Sequence, residues 1–207
     1  MAARCTLDHE ALLRAAGFLT VAGVDEAGRG PLAGPLLVAA VILPEGFSHP
    51  RLNDSKKLSA KVREEIFEEI STEPHVVWAV VEVGVEEIDR LNILRATHEG
   101  MRRAVLKLRV NVDHVLIDGL PVHPFPRPQT ALVGGDALSL SIAAASVCAK
   151  VIRDRTMMEI DAEFPQYGFA QHKGYGTALH LARLREYGPT PHHRRSFAPV
   201  KQLSLPF

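Results

Sequence analysis

Short apolar runs rich in valine, isoleucine and leucine recur along this chain, and most of them end in turns that contain glycine or proline. Runs of this length and composition are typical of buried β-strands. A segment rich in glycine and proline, residues 28–35, joins the first two runs, and we interpret it as a functional turn. The predicted strands cover residues 18–24, 36–43, 76–83, 114–117 and 130–133.

Between these runs the apolar residues recur at helical spacing. Val62, Ile66 and Ile70 stand at i, i+4 and i+8, and Ser59 is the expected N-cap of their helix. A longer helix is predicted over residues 85–108, with Gly100 as a weak point in its middle. Further helices are expected over residues 143–162 and 177–187, and loops over residues 121–128 and 189–196.

The order of these elements predicts the α/β class. Strands that lead into alternating helices and strands form a mixed sheet flanked by helices. The last part of the chain differs in character, because it is aromatic, basic and helical. We therefore expect a main domain over residues 1–165 and a helical appendage with a tail over residues 166–207.

Composition adds few restrictions. The chain has 207 residues, of which 46% are apolar, and this is enough for a continuous core. Cys5 and Cys148 lack the spacing of a disulfide framework or a zinc site, so the reducing cytoplasm is the expected location. No apolar stretch approaches the ~20 residues of a membrane helix. The net charge is zero, but arginine and lysine concentrate in the C-terminal part, where a local basic face is expected.

Four acidic residues share a position at the end of a predicted strand with a glycine close by. They are Asp25, Glu26, Asp118 and Asp136. Reactive groups collect at strand ends in α/β sheets, and converging carboxylates favour Mg²⁺ or Mn²⁺. The expected chemistry is two-metal phosphoryl transfer. The alternative is that each acid caps a helix or fills a turn, which is common for a single Asp-Gly pair.

Arginine between two glycines follows the first two acids. Gly28 and Gly30 allow a close approach of the backbone to a ligand, and Arg29 favours phosphate. The segment is not a dinucleotide fingerprint, because the next glycine is Gly34 and a strand follows where a helix should begin. The ten residues from Val21 therefore indicate a metal site beside a polyanion site.

Further polar groups are weaker candidates. Lys56 follows a polar turn and is either a phosphate ligand or part of a solvated pair with Lys57. Tyr175 belongs to a polar and aromatic cluster that suits a sugar or base, or else a packed aromatic corner. The run at residues 192–195, His-His-Arg-Arg, lacks metal-ligand spacing, so phosphate contact or surface charge is preferred for it.

These motifs together resemble the bacterial ribonuclease HII family, part of the type 2 ribonucleases H. The resemblance covers about residues 21–200. It rests on DEAGRG at residues 25–30, NDSKKL at 53–58 and LIDG at 116–119, and on the segments 141–150 and 164–175. It implies a ribonuclease H-like fold and metal-dependent endonucleolytic cleavage of RNA in RNA·DNA hybrids. Single ribonucleotides embedded in duplex DNA are implied substrates as well.

The resemblance also implies residue roles. The four acids become the catalytic, metal-binding quartet for Mn²⁺ or Mg²⁺, and cleavage 5′ to the ribonucleotide leaves a 3′-hydroxyl and a 5′-phosphate. Gly28, Arg29 and Gly30 sense the ribonucleotide, since the 2′-hydroxyl is what distinguishes RNA from DNA. Tyr175 contacts the sugar on its 3′ side, and Lys56 holds the phosphodiester backbone. We expect a monomer without membrane association, active in replication and ribonucleotide excision repair.

The last residues of the chain resemble the short peptide by which bacterial replication and repair proteins bind the sliding clamp. Gln202 begins this segment, and Leu203, Leu205 and Phe207 are its expected apolar anchors. The alternative is a tail that packs on its own domain.

Two alternative interpretations assign the whole chain a different function. One is a nucleic-acid-binding module that has lost catalysis, although all four acids are present. The other is a different nucleotidyl-transfer enzyme of the same fold, such as a junction resolvase.

Overall fold

A five-stranded mixed sheet forms the centre of the molecule. The computed structural model describes residues 5–203. The strands follow the order β3-β2-β1-β4-β5; β1 pairs antiparallel with β2, and β2 with β3, whereas β1–β4 and β4–β5 are parallel. The predicted mixed sheet is therefore confirmed. Its strands are β1 (Val21–Ala27), β2 (Leu36–Ile42), β3 (Val77–Val83), β4 (His114–Asp118) and β5 (Gln129–Leu132).

Helices cover both faces of this sheet and form most of the C-terminal part. Three of them begin at a serine or threonine N-cap: Ser59 accepts from the Val62 amide, Ser139 from the Ile142 amide and Thr177 from the His180 amide. The helices are α1 (Asp8–Ala15), α2 (Ala60–Thr72), α3 (Val85–Leu91), α4 (Ile93–Lys107), α5 (Leu140–Glu163), α6 (Phe169–His172), α7 (Ala178–Tyr187) and α8 (Ala198–Leu203).

The buried strand β2 shows how the core is divided. Its side chains alternate between the two faces, so Ala39 and Val41 pack with α5 and α2, whereas Val38 and Ala40 pack with α4. All four residues are fully buried. A strand covered on both sides needs a continuous apolar run rather than an alternating one, and this is why residues 36–43 were recognisable as a buried strand.

Helix α5 packs unusually closely on β1. A Cβ atom added to Gly23 would lie 2.2 Å from the carbonyl carbon of Ser141, so only glycine fits there. The first ten residues of α5 are all buried, as expected of a helix that is apolar on every side. The contact places the strand that carries Asp25 directly beneath α5.

The structure corrects three details of the sequence prediction. The first strand begins and ends three residues later than predicted, so Asp25 and Glu26 lie within β1 rather than after it. The helix predicted over residues 85–108 is interrupted at Asn92, whose φ is 69° and whose side chain caps α4. Gly100 does not weaken α4, because its missing Cβ is what lets the helix approach Val38. Helices α1 and α8 were not predicted.

No helix within residues 5–203 is long and apolar enough to span a bilayer.

Candidate active site

The four acidic residues lie at one edge of the sheet, where β1 and β4 run side by side. Val24 pairs with Ile117, and the next residue along each strand is Asp25 and Asp118. The Asp118 carboxylate accepts a hydrogen bond from the Gly135 amide at 2.7 Å, which places the short turn that carries Asp136 beside it. The sheet pairing and this one hydrogen bond therefore bring together acids that are 111 positions apart in the sequence.

Burial and mutual repulsion raise the pKa of three of these acids. Asp25 is 3% exposed, and its pKa lies well above its ordinary value because of burial and the nearby charges of Glu26 and Asp118. Burial also raises the pKa of Glu26, and Asp118 adds to the shift although Arg29 and Lys56 oppose it. The pKa of Asp136 is raised by burial and by Asp118, again against Lys56.

Lys56 lies against this group rather than free in solvent. Its ammonium group is 3.3 Å from the Asp136 carboxylate and 4.0 Å from that of Asp54. Partial burial lowers the pKa of Lys56, but Asp136, Asp54 and Asp25 raise it by more, so the net shift is upward. The side chain is still 76% exposed and can reach a phosphate next to the acids.

Two serines support Asp25 from below, and the sequence reasoning missed both. Ser146 of α5 lowers the pKa of Asp25, and its hydroxyl lies 2.9 Å from that of Ser55. The backbone amide of Glu26 donates to the same carboxylate at 2.7 Å. These donors stabilise the ionised form of Asp25, and so the chain of contacts fixes its orientation.

The glycine loop, Gly28, Arg29 and Gly30, follows directly after β1. Arg29 lies 3.6 Å from the Glu26 carboxylate and is half exposed. Gly28 has a φ of 102° and presses on Arg153, because a Cβ atom there would lie 2.1 Å from the Nε of that arginine. On the outer side, a Cβ at Gly30 would lie 3.7 Å from the Tyr175 ring. The structure thus brings Tyr175, which is 47% exposed, to the glycine loop.

The basic run at residues 192–195 is not the exposed phosphate site expected from the sequence. His193 is 1% and Arg194 0% exposed, and Arg194 donates to backbone carbonyls of the glycine loop. Arg153, in the middle of α5, is 1% exposed and donates to the Pro35 carbonyl. A charged residue within an alanine-rich helix was the only sequence signal for these groups. Nothing in the sequence distinguished Arg194 from its exposed neighbour Arg195.

Several other predicted features have plain structural roles. His172 is buried in an aromatic cluster with Phe169 and His180, so the packed corner is the correct reading for that part. Cys148 is a core residue, and burial raises the pKa of its thiol to about 12. A groove of about 990 Å³ beside α1 is lined by Leu43 and Phe47, and none of the four acids lines it.

The acids fit a divalent cation in their chemistry. Within residues 5–203 no three His, Cys, Asp or Glu side chains stand close enough to enclose an ion in their present rotamers. Their oxygen donors are nevertheless those that Mg²⁺ and Mn²⁺ prefer, and their mutual repulsion is what a cation would relieve. Lys56 already supplies one positive charge at this place. The side chains that would turn towards an ion are Asp25, Glu26, Asp118 and Asp136.

Comparison with known proteins shows the family of the chain. The family model described as Ribonuclease HII matches residues 22–200. The chain belongs to the ribonuclease HII family. A curated ribonuclease HII from Syntrophotalea carbinolica is 51% identical over 196 residues, which cover 95% of this chain and 93% of that protein. The family assignment makes the chain an endoribonuclease of the ribonuclease H type.

Solved structures agree on the fold. The ribonuclease H2 of Pyrococcus horikoshii matches with a TM-score of 0.74 and 26% identity, over 89% of this chain and 96% of that one. The ribonuclease HII in a complex with PCNA from Archaeoglobus fulgidus matches with a TM-score of 0.71 and 28% identity, over 84% and 93%. The predicted ribonuclease H-like fold is thereby confirmed.

We expect Asp25→Asn to stabilise the metal-free protein at pH 8. A buried carboxylate with a raised pKa costs stability when it is ionised; this cost is absent below the unfolded-state pKa of about 3.9 and complete above the folded-state pKa. The melting temperature of the variant should therefore exceed that of the parent at pH 8, by about 2–4 °C for each kcal/mol gained. The difference should shrink as the pH falls.

Differential scanning fluorimetry after EDTA treatment, from pH 4 to pH 8, measures this difference. Glu45→Gln, which neutralises an exposed acid, is the control and should leave the melting temperature unchanged. A lower melting temperature of Asp25→Asn at pH 8 would show that the ionised carboxylate is not destabilising.

Proposed function

We propose that the chain hydrolyses the RNA strand of RNA·DNA hybrids and cuts 5′ to single ribonucleotides in duplex DNA, leaving a 3′-hydroxyl and a 5′-phosphate. The observation that supports this most is the adjacency of three features. The acids of β1 and β4 lie beside the glycine loop, and the loop lies against Tyr175. A site for phosphodiester cleavage therefore stands next to groups suited to inspect one nucleotide.

In this proposal Asp25, Glu26, Asp118 and Asp136 would hold two Mg²⁺ or Mn²⁺ ions. When bound, such ions supply a water nucleophile and neutralise charge on the leaving oxygen. The protein's own contribution is to keep the carboxylates together at the sheet edge. The Gly135 amide donates to the Asp118 carboxylate and the Glu26 amide to that of Asp25, and these bonds keep both carboxylates at the site. Lys56 can bind the phosphate beside them.

The two glycines of the loop are required for different reasons. Gly28 is explained by the fold, since its positive φ and its contact with Arg153 exclude a side chain. Gly30 has no such internal reason, because a Cβ there would make only an ordinary contact with Tyr175. Gly30 lies on an exposed loop, and the fold does not require glycine there. The close approach of a substrate sugar best explains why this position is glycine.

Tyr175 and the C-terminal part complete the proposed substrate surface. The tyrosine ring is available to stack on the sugar that follows the ribonucleotide, on the 3′ side. Residues 166–207 act as a substrate-binding appendage to a catalytic domain of residues 1–165 in this proposal. The proposed setting is the cytoplasm, where a monomer would serve replication and ribonucleotide excision repair.

We predict that Asp25→Asn loses cleavage of a duplex with one ribonucleotide by about a thousandfold or more, because it removes a central charge from the proposed ion site. Binding of the duplex should remain within a fewfold, measured by fluorescence anisotropy in the same buffer. Gel-based cleavage with Mg²⁺ or Mn²⁺ is the readout. Full cleavage by the variant would refute the assigned role, and equal cleavage of an all-DNA duplex would favour the resolvase alternative.

Gly30→Ala tests recognition of the sugar. We expect its melting temperature to match that of the parent, since the added methyl group fits the free protein. Its kcat/KM on a duplex with one ribonucleotide should fall about 10- to 100-fold, because the backbone can no longer approach the 2′-hydroxyl. Gly84→Ala, at an exposed glycine that also has a negative φ and open space for a methyl group, is the matched control. Unchanged kcat/KM for Gly30→Ala would contradict this role of the loop.

The tail segment is proposed to bind the sliding clamp. The relative from Archaeoglobus fulgidus was solved in a complex with PCNA. Leu203 is 45% exposed at the end of α8, next to Gln202, so the first apolar anchor is not packed into the protein core. Leu205 and Phe207, the other two anchors, lie outside the described residues.

A labelled peptide of residues 202–207 should bind purified bacterial clamp in a saturable manner. Unlabelled full-length protein should displace it, because both present the same three apolar side chains. The control protein carries Leu205→Ala and Phe207→Ala and should not compete. If the parent protein and this control compete equally well, the tail is not the binding segment.

A further inference from the structure

Two adjacent buried residues, His193 and Arg194, connect the two halves of the proposed substrate surface. They follow the turn at Thr190, and His193 forms an isolated β-bridge with Ala33, just after the glycine loop. From this position their side chains reach two separate targets. The histidine leads to Tyr175, and the arginine leads to the glycine loop.

The histidine half is a directional chain of hydrogen bonds. The Thr190 amide can only donate, and it donates to Nδ1 of His193 at 2.9 Å. A neutral His193 then carries its proton on Nε2 and donates to Nε2 of His180 at 3.0 Å. His180 in turn carries its proton on Nδ1 and donates to the backbone carbonyl of Tyr175 at 2.9 Å. Burial and neighbouring histidines lower the pKa of His193 to about 3, so this neutral arrangement is stable at neutral pH.

The arginine half controls which way the loop peptides face. Arg194 donates to the carbonyl of Gly28 at 2.6 Å and to that of Arg29 at 2.9 Å, and it also binds the Gly34 carbonyl. In a trans peptide the N–H points opposite to the C=O. Holding these two carbonyls inward therefore turns the amides of Arg29 and Gly30 outward, at the two exposed positions of the loop.

Burial of the charged Arg194 side chain is unfavourable in free energy. It is fully buried, and among residues 5–203 it forms no ion pair with a carboxylate. Burial and the charge of Arg153 lower its pKa to about 9. A buried unpaired charge costs stability unless several acceptors surround it, and here the acceptors are the loop carbonyls themselves.

Backbone contacts complete the connection. The Leu32 amide donates to the Gly174 carbonyl at 2.8 Å, and a Cβ at Gly174 would lie 2.3 Å from the Ala33 carbonyl oxygen. The residue before Tyr175 is thus pressed against the residues after the glycine loop. Little freedom is left between the tyrosine and the loop.

We propose that His193 and Arg194 are positioning residues: Arg194 aims the Arg29 and Gly30 amides at the ribonucleotide, and His193, through His180, fixes Tyr175 against the next sugar. Neither side chain touches the substrate. The inference rests on the proposed function, because it assigns these two residues to the proposed site of ribonucleotide recognition. It predicts that the two residues affect different parts of substrate selection.

The experiment measures kcat/KM on two substrates, a duplex with one embedded ribonucleotide and a uniform RNA·DNA hybrid. His193→Gln should reduce the preference for the embedded ribonucleotide by about tenfold, since only that substrate has the junction that Tyr175 meets. The double variant His193→Gln with Tyr175→Ala should show no greater loss of preference than Tyr175→Ala alone. Arg194→Lys should lower kcat/KM on both substrates, because both present a 2′-hydroxyl to the loop.

Controls separate positioning from general damage. His114→Gln changes another buried histidine, which binds Thr130 away from the loop, and should lower stability without changing the preference. His180→Gln replaces His193→Gln if the latter fails to fold. It breaks the same chain one step nearer to Tyr175 and should give the same loss of preference.

The outcomes are distinct. A preference unchanged by both His193→Gln and His180→Gln, while Tyr175→Ala reduces it, overturns the inference and leaves the proposed function intact. Losses that multiply in the double variant also overturn it, since they show that His193 acts independently of Tyr175. If Tyr175→Ala itself leaves the preference unchanged, the proposed role of Tyr175 fails and the inference fails with it.

Discussion

The close contact between α5 and β1 is the constraint on which the site depends. Gly23 lets the helix backbone touch the strand, and two residues later Asp25 is buried beneath the helix. Parallel pairing with β4 then places Asp118 beside it. Two like charges out of water repel each other strongly, so the fold holds the carboxylates in a state that a cation improves. The convergence of these carboxylates and the packing of the core are therefore two results of one contact.

Helix α5 also links this acidic edge to the glycine loop. Ser146 lowers the pKa of Asp25, and Arg153, seven residues later on the same helix, donates to the Pro35 carbonyl and packs against Gly28. Seven residues of α-helix span about 10 Å. A single rigid element therefore sets the distance between the acids and the loop. Movement of the loop would make the distance between the acids and the loop variable. This is a physical reason for the burial of two arginines beneath the loop.

The sequence was sufficient for the parts that depend on local pattern. Strand ends followed by glycine identified Asp118 and Asp136, and the split glycines around Arg29 identified the loop. The burial of individual side chains could not be predicted from such patterns. Arg194 and Arg195 have the same chemistry and adjacent positions, yet only Arg194 is buried, because Ala33 and the loop carbonyls lie on its side of the chain. Whether a charged side chain is buried depends on tertiary packing, which the periodicity of the sequence does not encode.

The acidic residues and the buried histidine of the site differ in the direction in which their pKa values are shifted. The pKa values of Asp25, Glu26 and Asp136 are raised, and these side chains must be ionised to hold the proposed cations, so acidification would weaken the acidic part of the proposed site first. The pKa of His193 is lowered to about 3, so its hydrogen bonds to His180 and Thr190 persist over the same range. Under the proposed function, loss of cleavage on acidification would thus originate in the carboxylates, while the hydrogen bonds of His193 stay in place. The proposed selectivity would then persist at a pH where the rate of cleavage has already fallen.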